Sequence, residues 1–433
     1  MNRTKRFGLI ACAVAVTFAA GAYAGGQGES KASGQKAKIT LWSQFADPKS
    51  MDSGAIAFFK ALENTRTRFP DVEIEHVGTG GEAYKQKIPV AGAANELPDM
   101  FFWWGGGTAE PFIKGNRVLA LNDLASDGTL KRLVPGTTDN FVFGDKLYGL
   151  PIYISTAQLY VNKELFLNAG LKVPATWDEL TTAIVALKAK GIIPIALGAK
   201  DRWPAMFWNA ILDIRMGGVS AMNAALKKTG PFNTPEFVAA AKKFDELIKL
   251  GAFGDNYMGT SYDDSVNLFL TGKAAMIYMG AWVNGQIEAD NSPVKGKVVP
   301  INVPAVPGGK GSSNDWHGGC GETFFMNANL KNKEQVWPVY KYFVETMAKE
   351  AFLAGSGSSA WLSESSDVAK MNILALQIGL LSAKATGFSY WWDQILTGND
   401  TESMFGSLMQ FIAGKSSPEQ YAQELQTKIS DRK

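Results

Sequence analysis

From Ile39 onward, short apolar runs alternate with longer helical stretches, and this alternation constrains the fold more than any other feature of the sequence. Ile39-Thr40-Leu41-Trp42 is followed by a helical stretch over 56–69, an apolar run over 72–77, a polar helix reaching Asn95 and a third apolar run over 100–104. Strands that alternate with helices in this way lay the helices over a parallel sheet, so the expected class is α/β. Helix boundaries are legible further on. Thr176-Trp177-Asp178-Glu179 has capping-box spacing and predicts a helix to Lys190, with Trp177 as scaffold. Thr234-Pro235 opens another that ends at Gly251, and Ser417-Pro418-Glu419-Gln420 opens the last. Pro-rich joints at Gly149-Leu150-Pro151 and over 299–307 interrupt the alternation without any low-complexity linker. That suits strands passing between two bodies, and 433 residues suffice to build both cores.

The first residues read as an address. Arg3, Lys5 and Arg6 precede an uncharged apolar stretch over 7–22 that ends in Ala22-Tyr23-Ala24, the pattern of a secretory signal occupying 1–24. Leu9-Ile10-Ala11-Cys12 resembles a lipobox, but the apolar core before Cys12 is too short for a normal signal, so export by cleavage after Ala24 is favoured over a lipid anchor at Cys12. Residues 25–38, rich in Gly, Ser, Gln and Lys, read as a flexible tether. Cleavage removes three positive charges and no acidic one, taking the formal net charge from +2 to slightly negative; no nucleic acid partner is expected. Cys320 is then the one remaining cysteine, so no internal disulfide can form.

Several landmarks fall in a recognisable order. They are Arg68-Phe69-Pro70-Asp71, Leu97-Pro98-Asp99-Met100-Phe101-Phe102-Trp103, Tyr148-Gly149-Leu150-Pro151, Leu159-Tyr160-Val161-Asn162-Lys163, Pro174-Ala175-Thr176-Trp177, and Phe269-Leu270-Thr271-Gly272-Lys273-Ala274-Ala275-Met276 running to Trp282. In this sequence they resemble the extracellular solute-binding proteins that include maltose-binding protein. The resemblance implies a type II periplasmic-binding-protein-like fold, with two discontinuous α/β lobes joined by crossing strands at a hinge. Carried over, lobe one is 39–150 plus 305–355, and lobe two is 151–304 plus 356–433. It further implies a carbohydrate ligand, delivery to the membrane permease of an ABC importer, action as a monomer, and no cofactor.

A pyranose presents apolar C–H faces and a rim of hydroxyls, so its pocket needs aromatic rings and planar polar groups. Trp103 and Trp282 stand where the resemblance places stacking tryptophans, and Trp391, Trp392 and Asp393 match its C-terminal aromatic cluster. Asp201, Arg202 and Trp203 sit on an expected strand-end loop, where α/β sheets bind ligands, although an Asp–Arg surface pair is an equal reading. Trp316 and His317 lie in a glycine-rich stretch after the second joint, which reads either as a ligand contact or as a tight turn. Trp42, Gln44, Trp104 and Tyr153 complete the candidate set. The sequence departs from the maltose binders after Trp42, where a charged residue is missing. It departs again at Gly105-Gly106-Gly107, where glycines replace an acidic-basic pair, so the particular sugar does not carry over.

Enzyme readings find little support. With His76 and His317 alone there is no histidine-rich metal set, and no Cys-x-x-Cys, Gly-x-Ser-x-Gly or Walker pattern occurs. A Cys320–His317 nucleophile is weighed against the commoner buried thiol. A glycosidase needs only two carboxylates and so stays open, as do a sensor subunit and a binding subunit for phosphate, iron or a polyamine.

Overall fold

The computed structural model describes residues 36–362 and 368–431. The expected signal, Cys12 and the tether up to residue 35 lie outside the described residues. Strand β1 (Ala37–Ser43), slightly longer than expected, leads into α1 (Ser53–Arg68), β2 (Val72–Gly78), α2 (Gly81–Ala94) and β3 (Met100–Trp104). The local code for this run is simple. Asp52 caps α1 by accepting from the Ala55 amide at 3.0 Å, and Asn95 closes α2 in the left-handed conformation at φ 60°. β1 lies between β2 and β3 and runs parallel to both, as the strand–helix alternation predicts. The buried face of α1, with Ala57, Phe58, Ala61 and Leu62, packs on helix Lys333–Ala354.

The fourth strand of this sheet, Glu322–Met326, is antiparallel to β3, which sets Glu322 opposite Trp104 and Thr323 opposite Trp103. It arrives from a second sheet rather than through a crossover helix, and so enters in the opposite direction. That second sheet has the order Gly387–Ser389, Asp315–Gly319, Tyr153–Asn162, Ala274–Gly280, Ile193–Ala196. Strand Val298–Ile301 also pairs with Tyr153–Asn162. Helix Trp203–Gly217 is buried on every side from Pro204 to Met216, the pattern of a helix enclosed in a core. The expected caps are present: Thr176 with Glu179, Thr234 with the left-handed Gly251 at its far end, and Ser417 with Gln420.

Two hydrophobic cores result. One gathers residues between 39 and 153 and between 320 and 361; the other gathers residues between 157 and 306 and between 374 and 429. Strand Tyr153–Asn162 passes from the first, where Tyr153 lies, into the second, where Ala157 lies. The return passage falls at Cys320-Gly321, between strands Asp315–Gly319 and Glu322–Met326, later than the Pro-rich stretch at 299–307. Arg215 explains the displacement: its buried guanidinium donates to the Val303 and Asp315 carbonyls at 2.8 and 2.9 Å, tying 303–315 to the second core. Ala360 and Trp361, in turn, belong to the first core.

Candidate ligand-binding cleft

The two cores face each other across a cleft of ≈ 710 Å³, within the range of small-molecule sites. On the side of the first core, β3 ends at Trp104 and the chain continues through Gly105-Gly106-Gly107. A Cβ on Gly106 would lie 1.8 Å from the Gln394 carbonyl oxygen, and one on Gly107 2.0 Å from that of Leu396. Only glycine admits so close an approach. Gly106 and Gly107 therefore form a seam between the two halves, while Gly105 abuts Asn140 and Phe141 of the first.

Polar groups gather at the base. Tyr153 donates its hydroxyl to Glu322, and the Trp104 indole donates to the same carboxylate. Burial pushes the Glu322 carboxyl up to about 7, with a further contribution from nearby Asp52. Burial likewise raises Asp52 to about 6, against the favourable amides of the α1 N-terminus. Burial also raises Asp263 and Asp393 above the ordinary carboxylate range.

On the side of the second core the wall is aromatic. Trp203 and Phe207 project from helix Trp203–Gly217, Tyr262 opens helix Tyr262–Leu270, and Trp282 follows strand Ala274–Gly280. Phe207 and Trp391 stack at 4.5 Å and 13°, while Trp203 lies 4.9 Å from Tyr262 and 6.1 Å from Trp282. Gly280 makes room for this wall, since a Cβ there would sit 2.0 Å from the Trp282 ring. The Trp282 indole donates to the Tyr262 hydroxyl at 3.0 Å. Arg202 adopts φ 64°, ψ −48°, a strained conformation for a non-glycine residue. Glu402 holds it through bonds of 2.8 and 3.2 Å, and its guanidinium stands 4.6 Å from the Phe405 ring centroid.

Two side chains of α2 bridge the walls. Glu82 accepts from the Trp203 indole at 3.3 Å. Lys85, 2.7 Å from Glu82, has its ammonium 5.4 Å from the ring centroids of both Trp104 and Trp203.

Of the residues singled out in the sequence, Gln44, Trp103, Trp104, Tyr153, Asp201, Arg202, Trp203, Trp282, Trp391 and Asp393 line the cleft. Trp103 does so only marginally: it is 6 % exposed, packs against Tyr84, Trp104 and Phe112, and donates to the Thr108 carbonyl. Asp201 and Arg202 do not pair with each other; Asp201 accepts from the Tyr262 amide at 2.6 Å. Four residues lie elsewhere. Trp42 turns toward α2, where the Lys87 ammonium sits 4.0 Å from its ring centroid. Trp316 and Trp392 are core residues, the latter against Phe232. His317 lies beneath the aromatic wall, edge-to-face with both Phe207 and Trp391, with no partner for either ring nitrogen among the described residues, and burial lowers its pKa to about 3. It forms no pair with Cys320, whose thiol is buried and pushed up in pKa.

The sequence reading missed Asp52, Glu82, Lys85, Phe207, Tyr262, Asp263, Glu322, Gln394 and Glu402. Some carried a usable signal: Asp52 is an N-cap, Tyr262 and Asp263 follow the N-cap Ser261, and Glu82 and Lys85 sit one turn apart. Among the described residues no group of three or more His, Cys, Asp or Glu is placed to hold a metal ion.

Two α/β bodies on discontinuous segments, joined by crossing strands over an aromatic cleft, define a two-lobed binding protein of the type II periplasmic class. Residues 46–350 match the family of bacterial extracellular solute-binding proteins, and the chain belongs to that family. It is 24% identical over 269 residues to an ABC transporter extracellular-binding protein of Pyrococcus horikoshii, covering 61% of this chain. That alignment spans 58% of the archaeal protein. It is 23% identical over 339 residues to the multiple sugar-binding protein of Streptococcus mutans, covering 76% of this chain and 77% of the relative. A solved structure from work on xylan utilization by the thermophilic bacterium Caldanaerobius polysaccharolyticus is 34% identical, with a TM-score of 0.85, and covers 90% of this chain and all of that one.

Proposed function

We propose that this protein captures a sugar or oligosaccharide between its two lobes outside the cytoplasm and delivers it to the permease of an ABC importer. The observation that carries this reading is the pairing of an aromatic wall with a carboxylate-rich base across a cleft of ≈ 710 Å³. Rings cover the apolar faces of a pyranose, and carboxylates accept from its hydroxyl rim. The names of the relatives, a sugar-binding protein and an ABC transporter binding protein, support the same class, and the 34% identical structure makes β-1,4-linked xylose oligomers the first ligands to try.

In this reading the strand Tyr153–Asn162 and the passage at 320–321 belong to the hinge, and the two lobes of one monomer close on the ligand. Family membership and relatives that are binding proteins argue for capture rather than glycoside cleavage. Export follows from the N-terminal reading. Among the described residues no helix is long and apolar enough to cross a membrane.

A thermal-shift screen against mono- and oligosaccharides tests the ligand class, because saturation at a hundred times the Kd stabilises by about 2.7 kcal/mol. A flat response across xylo-, cello-, chito- and malto-oligosaccharides would refute it. Scattering in solution tests closure: the particle should become more compact with the sugar that binds. Mass spectrometry of the exported chain should find Gly25 at its N-terminus, and a diacylglyceryl Cys12 would overturn the cleavage site.

A further inference from the structure

The polar lining of the cleft is one-sided in both charge and hydrogen-bond character. Eight carboxylate side chains line it against two cationic ones. Both cations are engaged already, Lys85 by Glu82 and Arg202 by Glu402. Asp47, Asp52, Asp201, Asp263, Glu322 and Asp393 have no cation within ion-pairing distance among the described residues. The indole donors and the Tyr153 hydroxyl are spent in the same way. The indole N–H groups of Trp103, Trp203 and Trp282 bond to the Thr108 carbonyl, Glu82 and Tyr262. Those of Trp104 and the Tyr153 hydroxyl are taken by Glu322.

An ionised carboxylate only accepts hydrogen bonds. What the cleft offers a ligand is therefore aromatic faces and an excess of acceptors. A ligand carboxylate entering it would lose its hydration without gaining a cationic donor. It would also meet several negative charges that have no cationic partner, at distances within a Debye length at low ionic strength. The amides of Gln44, Gln86, Gln286 and Gln394 and the Tyr262 hydroxyl can donate to a hydroxyl oxygen, but they carry no charge to offset a full negative one.

We propose that the cleft selects saccharides whose rim groups can all donate, hydroxyl or ammonium groups, and rejects saccharides that carry uronate carboxylates. This rests on the carbohydrate reading above and narrows it to uncharged or amine-bearing sugars. The side chains that enforce it are the carboxylates that line the cleft without a cationic partner, chiefly Asp201, Asp263 and Asp393.

The test uses the mature chain and four tetramers that share one β-1,4 pyranose backbone. They are xylotetraose and cellotetraose, which are neutral, C6-oxidised cellotetraose, which bears glucuronates, and fully deacetylated chitotetraose, which bears ammonium groups. Calorimetric titration at low ionic strength should show the glucuronate tetramer at least thirtyfold weaker than the tighter neutral tetramer, with the ammonium tetramer no weaker than cellotetraose. The anion's disadvantage should shrink in about 0.5 M salt, where the Debye length falls to roughly 4 Å. Asp263→Asn with Asp393→Asn should narrow the gap between neutral and anionic ligands at least fivefold. The salt series decides the matter if that variant does not fold. An anionic tetramer that binds as tightly as the neutral ones overturns the inference while leaving the carbohydrate reading intact. Failure of all four, together with the wider saccharide screen, removes both.

Discussion

The two walls of the cleft are built differently. The wall from the first core is made of strand ends, a glycine seam and helix termini, and its contribution is polar: Asp52 at the N-terminus of α1, Glu82 and Lys85 on α2, Glu322 on the returning strand. The wall from the second core is a continuous aromatic surface of Trp203, Phe207, Tyr262, Trp282 and Trp391, backed by a fully buried layer with His317 and Trp392. Rings supply area and little discrimination, whereas buried acceptors discriminate because leaving one unpaired costs about 1–3 kcal/mol. The division of labour that follows is affinity chiefly from the rings of the second lobe, and selectivity from acceptors on both sides, Asp52 and Glu82 from the first and Asp201, Asp263 and Asp393 from the second.

The hardest blow to this comparison would come from the layer behind the aromatic wall. Trp392→Ala empties a fully buried site, and a stability loss of about 3–5 kcal/mol is expected, with sugar affinity of the folded fraction nearly unchanged. Denaturant melts together with titration of the soluble fraction check this. A large affinity loss at unchanged stability would put Trp392 into the wall itself.

Trp282→Ala sharpens the affinity half. Its ring has cleft exposure that Trp392 lacks, and removing it should cost on the order of 2 kcal/mol of binding, about thirtyfold in Kd. Trp103→Ala, by contrast, should lower the melting temperature before it lowers affinity, because that ring is packed against Tyr84 and Phe112. If Trp103→Ala weakens binding more than Trp282→Ala does, the roles of the two walls are reversed.

The selectivity half has a pH signature in the ligand-free protein. The Glu322 carboxyl titrates at about 7 in the folded chain against an ordinary 4.5, so the folded state holds its proton more tightly than the unfolded state. Its ionisation therefore removes stability as pH rises through that window, and the loss is complete above about 7. Glu322→Gln should raise the melting temperature at pH 8, by an amount on the order of 1 kcal/mol, and the difference from the parent should fade toward pH 4.5. A difference that does not vary with pH would show that Glu322 is not held protonated by burial.

The smallest effect is expected at the bridge between the walls. Lys85 is half-exposed and touches Trp104 and Trp203 only through their ring faces. Lys85→Ala should change affinity by less than tenfold, in keeping with about 0.5–1 kcal/mol for an exposed cation over a ring. A thirtyfold loss would move Lys85 from a bridge into the binding surface.

Much of this architecture was local and hence readable in the chain. The alternation from Ile39 to Trp104 became a parallel β1–β2–β3 layer, and the caps at Thr176, Thr234 and Ser417 opened helices where expected. These features depend on groups a few residues apart, and for those the sequence is close to the geometry. Where the chain returns between lobes was not local. The Pro-rich stretch at 299–307 looked like a joint, but a buried Arg215 nearly a hundred residues earlier holds the following segment to the second core.

The cleft itself divides along the same line. Composition determined that tryptophans and carboxylates were available for a sugar, and motif order determined the family. Tertiary structure alone decided which members of that supply face the space. Trp391 and Trp392 are adjacent and identical, yet Trp391 stacks on Phe207 in the wall while Trp392 is fully buried against Phe232. The chain that follows them docks through Gln394 and Leu396 against Gly106 and Gly107, a contact between segments nearly three hundred residues apart. Adjacent identical side chains carry no local signal of which way each will point; that is fixed when two distant surfaces meet.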